Sequence, residues 1–163
     1  MLRELIRSPG QSVSEVARCI RVPPALVTDY LRALNARGLL AARRQGKYVY
    51  YRPSADESVL GAVLLLGALR KTFSTEKNPV ELIFRQATAF THPRRLDIIR
   101  ALQNEPLDSK HLRAATGMSR AALRRHLRKL ESRGFVMLDG RKYRCTTPRD
   151  ALAKVLLRLA AQE

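Results

Sequence analysis

Five basic side chains crowd the positions between 120 and 129: Arg120, Arg124, Arg125, Arg128 and Lys129. Guanidinium groups at this density suit the binding of a polyanion, because a face of like charges repels itself until something negative relieves it. They have a second capability. An Arg fork can donate paired hydrogen bonds to guanine O6 and N7, a contact worth about 1–3 kcal/mol of base discrimination. Both uses need the side chains on one exposed face, and the spacing predicts one. With Leu123 centring a buried stripe, Leu127 and Leu130 fall beside it at about 100° per residue. Ala121, Arg125, Arg128 and Ser132 fall on the opposite side, with Arg124 and Lys129 on the flanks. The helix that carries them is expected from Ser119 to Arg133. Its plain alternative is an ordinary solvated basic helix.

The rest of the chain is consistent with that chemistry. Of 163 residues, 31 are Lys or Arg and 14 are Asp or Glu, giving a net charge of +17. With 45% hydrophobic residues the chain can bury a core. The excess charge points to nucleic acid first and an anionic membrane second. It is unevenly spread. Residues 1–54 net +7, residues 55–79 net zero, and residues 80–163 net +10. Two basic blocks therefore flank a neutral apolar one. The longest apolar run, Val59 to Leu69, is too short to span a bilayer. No secretory signal is visible at Met1–Gly10, so a cytoplasmic protein is expected. Cys19 and Cys145 lie far apart, which excludes a disulfide framework or a CxxC zinc module. No nucleophile with a base, carboxylate pair or Gly-rich phosphate loop stands out, so no enzyme and no cofactor are expected.

A repeat accounts for the two basic blocks. Val27-Thr-Asp-Tyr-Leu-Arg-Ala-Leu-Asn-Ala-Arg-Gly-Leu-Leu40 aligns with Leu123-Arg-Arg-His-Leu-Arg-Lys-Leu-Glu-Ser-Arg-Gly-Phe-Val136. Leu31 meets Leu127, Arg32 meets Arg128, Leu34 meets Leu130, Arg37 meets Arg133 and Gly38 meets Gly134. The apolar positions 27, 31 and 34 repeat at 123, 127 and 130, one helical face. Gly38 and Gly134 sit just past each helix, where a left-handed residue ends it. A short helix precedes each, opened by a Ser12–Glu15 capping box in the first copy and by Asp108 in the second. Two strands follow each: Leu40–Arg44 and Lys47–Arg52 around Gln45-Gly46, then Phe135–Leu138 and Lys142–Thr146 around Asp139-Gly140. The first copy lacks a counterpart of Val80–Phe90 ahead of Met1.

Short helix, turn, longer helix and hairpin, met twice, resemble the winged helix-turn-helix arrangement. More narrowly, Ala89-Phe-Thr-His-Pro-Arg-Arg-Leu-Asp-Ile-Ile-Arg-Ala-Leu102 is similar to the opening of ArsR-type transcriptional regulators. Arg43-Arg-Gln-Gly-Lys-Tyr-Val-Tyr-Tyr-Arg52 is similar to the wing of that family. The expected fold is mainly α with small β-hairpin wings: two tandem winged helix-turn-helix domains, at 1–54 (first helix absent) and 79–163 (ArsR-like), joined over 55–78 by an apolar helix and linker. In a helix-turn-helix the first turns of the second helix approach base edges. Ser119, Arg120, Ala121, Arg124 and Arg125 are thus the base-reading candidates, and Arg128 and Lys129 the phosphate candidates.

The first copy reads as the weaker reader. Its helix turns Pro23, Pro24, Ala25, Thr28, Asp29 and Arg32 outward, and Asp29 stands where the second copy has Arg125. Thr28 and Arg32 remain DNA-contact candidates. Its longer wing compensates, with Arg43, Arg44, Lys47 and Arg52 around Gly46 placed for phosphates or the minor groove. In the second wing, Arg141, Lys142 and Arg144 flank Gly140. The middle segment is expected to be a helix opened by Ser54 and Glu57 and running to about Phe73, apolar on every side and so buried all round. It serves either packing between the domains or, with residues 80–90, a homodimer seam over 57–73. The dimer reading draws on the resemblance, since ArsR-type proteins dimerise through helices flanking the winged domain. A last helix is expected from Arg149 to Gln162, started by Thr147-Pro148 with Asp150, since Thr caps and Pro suits the first helical position.

Many ArsR-type proteins sense metals through paired cysteines before the recognition helix or through His and carboxylates on the last helix. Here Cys19 stands alone and the last helix carries neither His nor Cys, so no metal site is expected. Both cysteines read as packing residues, His92 as a capping or packing residue, and His126 as packing or contacting phosphate. The function these features imply is sequence-specific double-stranded DNA binding by a transcriptional regulator. The rivals are a protein-interaction scaffold and a non-specific binder of DNA or structured RNA.

Overall fold

The computed structural model describes residues 1–162. It is mainly helical with two small three-stranded antiparallel sheets, and the chain divides into two units, Met1–Ser74 and a second that starts at Thr75. In the first, α1 (Leu2–Arg7), β1 (Gln11–Ser12), α2 (Val13–Ile20) and α3 (Pro24–Ala36) precede the hairpin β2 (Leu40–Gln45) and β3 (Tyr48–Pro53). The helix α4 (Ala62–Thr75) follows. The second holds α5 (Pro79–Ala87), α6 (Pro93–Ala101), β4 (Leu107–Asp108), α7 (Ser109–Thr116) and α8 (Arg120–Ser132). The hairpin β5 (Val136–Asp139) and β6 (Lys142–Cys145), then α9 (Ala151–Ala161), complete it.

Local chemistry explains why the two units share this order. The Ser12 hydroxyl accepts from the Glu15 amide at 3.3 Å while the Glu15 carboxylate accepts from the Ser12 amide at 2.7 Å, a complete capping box that starts α2. Asp108 does the corresponding work for α7, its carboxylate accepting from the His111 amide at 2.9 Å. Both short helices stop on a left-handed residue, Arg21 at φ 55° and Gly117 at φ 63°. Arg21 is the one non-glycine residue of positive φ among the described residues, a conformation that costs an L residue roughly 1–2 kcal/mol. After the longer helices, Leu39 donates to the Leu34 carbonyl and Phe135 to the Leu130 carbonyl, both at 3.0 Å.

Each unit encloses its own core. In the first, Leu5, Val16, Val27, Leu31, Leu40 and Tyr51 are buried together. In the second, Ile98, Ile99, Leu112, Leu123, Leu127 and Leu130 surround Phe135, whose ring meets that of Phe90 edge-on at 4.6 Å. Truncating one such buried leucine to alanine typically removes about 2–5 kcal/mol. The helix α9 packs on α5 and α6. Asp150 joins them: one carboxylate oxygen caps α9 through the Ala153 amide at 2.8 Å, and the other accepts from the buried Gln86 side chain at 3.0 Å.

Four expectations need correction. The middle helix starts at Ala62, not at Ser54–Glu57, because Asp56 takes both the amide and the hydroxyl of Ser58 in a local turn, and Gly61 breaks the backbone at φ 79°. Nor is the middle segment buried all round: Ala62, Leu66 and Leu69 are, but Leu60, Val63 and Leu64 face outward. The last helix begins at Ala151 under Asp150 rather than under Thr147. Cys19 does not pack; the buried face of α2 runs through Val16 and Ala17 and turns Cys19 to the exposed side. Burial at Cys145 pushes its thiol up to about 11. Further apolar side chains, Val80 and Phe84, stand exposed one turn apart on α5. Among the described residues no helix is long and apolar enough to cross a membrane.

Candidate nucleic-acid interface

The outer face of α8 is where the basic side chains come together. Ser119 caps the helix, its hydroxyl accepting from the Ala122 amide at 3.3 Å. The core stripe Leu123, Leu127 and Leu130 then fixes the helix's rotation. Arg120, Ala121, Arg124, Arg125 and Arg128 are left exposed and Lys129 half-buried. None of these cations meets a carboxylate among the described residues, whereas Arg94, Arg144 and His111 each do.

A cleft of about 720 Å³ runs along this face, and its lining holds no acidic residue. Arg124, Arg125, Arg128 and Lys129 of α8 line it together with two groups from the start of α6, His92 and Arg95. Arg95 is buried. Its guanidinium donates to the Ala89 carbonyl, to the Thr88 carbonyl at 3.1 Å and to the Thr91 hydroxyl at 3.0 Å, all neutral acceptors. Desolvation lowers its pKa, but an arginine keeps its charge at any ordinary pH, so its positive field adds to that of α8. His92 caps α6 through Nδ1, which accepts from the Arg94 amide at 3.1 Å, and its ring lies 4.5 Å from that of His126.

His126 is buried on the inner edge of α8. Burial first, then the electrostatic influence of His92 and of the guanidinium groups of Arg125, Arg95 and Arg94, pushes its imidazole below the usual histidine range, so it is neutral at pH 7. The unfolded chain therefore binds this proton more readily than the folded one. The stability that the neutral ring permits is present above about pH 6.5 and is lost as pH falls towards the lowered pKa. Thermal melts between pH 8 and pH 5 are expected to fall more steeply for the wild type than for His126→Phe; parallel curves would contradict this assignment.

The other candidates are distributed differently. Arg141 and Lys142 are exposed at the turn of the β5–β6 hairpin, while Arg144 is held by Asp139 at 3.2 Å. In the first unit Arg32 is exposed, and the Thr28 hydroxyl is turned back onto the Pro24 carbonyl at 2.9 Å. Arg43, Arg44 and Lys47 are exposed on the β2–β3 hairpin, with Arg44 Nε donating to the Gly46 carbonyl at 3.2 Å. Leu26 and Tyr30, outward on α3, stand where the second unit has Ala122 and buried His126. His92 and Arg95 were not legible as members of this site; the one hint was basic residues directly after His92-Pro93, at a helix start. Among the described residues no group of three His, Cys, Asp or Glu converges where a metal could be held.

Residues 86–162, which span most of the second unit, match the model of a family described as the HVO_A0261 N-terminal domain. No curated protein matches the chain.

Proposed function

We propose that this chain is a sequence-specific double-stranded DNA-binding transcriptional regulator that acts in the cytoplasm by binding rather than catalysis. Its two units are tandem winged helix-turn-helix domains of the ArsR-like kind. The helix α8 enters the major groove, and the two hairpins lie on the backbone or in the minor groove. One observation carries this reading: an acid-free cationic cleft along a helix whose first turns expose Ser119, Arg120, Ala121, Arg124 and Arg125. Small and forked side chains at those turns suit base edges. The shared caps and helix ends of the two units support the tandem arrangement. A scaffold for other proteins has no use for such a face.

The salt dependence of duplex binding tests the reading. The logarithm of affinity is expected to fall with the logarithm of salt at about −0.9 per phosphate contacted. Arg44→Ala is expected to weaken every sequence alike and to flatten that slope by about one contact. Absence of duplex binding at low salt would favour the scaffold.

A second copy of the chain is the partner that the exposed apolar residues favour. Val80 and Phe84, with Leu60, Val63 and Leu64, give the segments 57–73 and 80–90 apolar surface that water covers poorly. Sedimentation equilibrium is expected to return a dimer mass that Phe84→Asp reduces to that of one chain.

A further inference from the structure

The longer hairpin of the first unit carries a feature that duplex reading does not use. Pairing in the β1-β3-β2 sheet sets Ala41 opposite Arg52, Arg43 opposite Tyr50 and Gln45 opposite Tyr48. Directly opposed residues project to the same side of a sheet, so these six share one face, while Leu40 and Tyr51 turn to the core. Tyr48 is 47% exposed and Tyr50 is partly exposed. The two rings lie 6.5 Å apart, close to the reach between neighbouring bases of an extended strand, and their planes differ by 63°. Lys47 Nζ stands 5.4 Å from the Tyr48 ring centre. A cavity of about 560 Å³ opens beside the rings, lined among others by Arg43, Gln45, Tyr50 and Arg52.

The charge on this face is of one sign. No Asp or Glu occurs between Asp29 and Asp56, and neither Arg43 nor Arg52 meets a carboxylate among the described residues. The second unit provides an internal comparison. At the equivalent face its shorter hairpin sets Met137 opposite Arg144 and Asp139 opposite Lys142, without an aromatic ring, and Asp139 neutralises Arg144. The extra length of the first hairpin is therefore spent on the residues that combine aromatic rings with unneutralised cations.

We propose that the sheet face bearing Tyr48, Tyr50, Arg43 and Arg52 binds unpaired polynucleotide, with successive bases against the two rings and the backbone phosphates along the two arginines. In a duplex the base faces are hidden in the stack. Exposed rings beside cations match a strand whose faces are free, and stacking of that kind tolerates any base sequence. The site is separate from α8; its arginines belong to the hairpin placed on the duplex backbone or in the minor groove, whereas the tyrosine rings have no part in that contact.

The full chain is titrated with short oligothymidylate and, separately, with oligouridylate, which distinguishes DNA from RNA as the source of the strand. Tyr48→Ala and Tyr50→Ala are each expected to weaken binding about tenfold or more, whereas Tyr48→Phe and Tyr50→Phe retain it. Because the chain contains no tryptophan, tyrosine emission reports the contact directly. Oligothymidylate is expected to quench it, and the quench is expected to shrink in the Tyr48→Phe/Tyr50→Phe double variant while affinity persists. Tyr48→Ala and Tyr50→Ala are expected to leave the preference among duplex sequences unchanged, so loss of strand binding is distinguishable from loss of duplex reading. The proposal is overturned if neither oligomer binds, if the alanine variants bind like the wild type, or if the double phenylalanine variant quenches in full.

Discussion

Arg125→Ala is expected to weaken binding to the preferred duplex roughly five- to a hundredfold and to relax base preference at the position this side chain reads. The size follows from where the group sits. Arg125 is exposed on the outer side of α8, early enough to reach base edges, and has no carboxylate to release before it engages a guanine. Removing a bidentate donor takes away two charge-assisted hydrogen bonds to O6 and N7 of that base, which are stronger than neutral ones. Arg124→Ala is expected to act on a neighbouring position with similar size. Arg128→Ala lies further along the helix and is expected to weaken all duplexes evenly. Titrations of each variant against the preferred site and its single-base substitutions separate the two patterns. Unchanged affinity and unchanged preference for Arg125→Ala would remove α8 as the reading helix.

Gly38→Ala is expected to destabilise the first unit by about 2–4 kcal/mol, against about 1 kcal/mol for Gly134→Ala at the matching position of the second. Both glycines end a longer helix with positive φ, 69° and 80°, so each substitution meets the same backbone penalty. They differ in what a new methyl group would touch. At Gly134 it meets open space, whereas at Gly38 it lands 2.8 Å from Val59 Cβ and 3.1 Å from Asp56 Cβ. Asp56 cannot withdraw easily, because its amide donates to the Gly38 carbonyl at 2.9 Å. A unit of this size holds roughly 4–11 kcal/mol in all, so the substitution removes a large share of it. Hydrogen exchange in peptides from α3 and α8 reads the two units separately. Equal loss of protection in both variants would show that the segment after β3 yields freely.

Much of the architecture was legible because its signals are local. The capping residues Ser12 and Asp108 act within three residues of themselves, and the stripe of Leu123, Leu127 and Leu130 fixes a face by spacing alone. Non-local or competing signals misled. The strands β1 and β4 are two residues long, and only pairing with β3 and β6 makes them strands. Ser54 and Glu57 have the spacing of a capping box, but Asp56 offers Ser58 a nearer partner. Thr147-Pro148 imitates a helix start that Asp150 supplies three residues later. In the candidate site, the arginines of α8 follow from periodicity. His92 and Arg95 join them only because α6 packs on α8, which no local pattern announces.

The most direct test of the account is selection of the full chain on a random double-stranded DNA library at about physiological salt. The expected result is one enriched motif, with guanines at the positions that Arg124 and Arg125 reach and with enrichment lost in the Arg124→Ala/Arg125→Ala double variant. Retained duplexes without any common motif, equally bound by wild type and double variant, would contradict it.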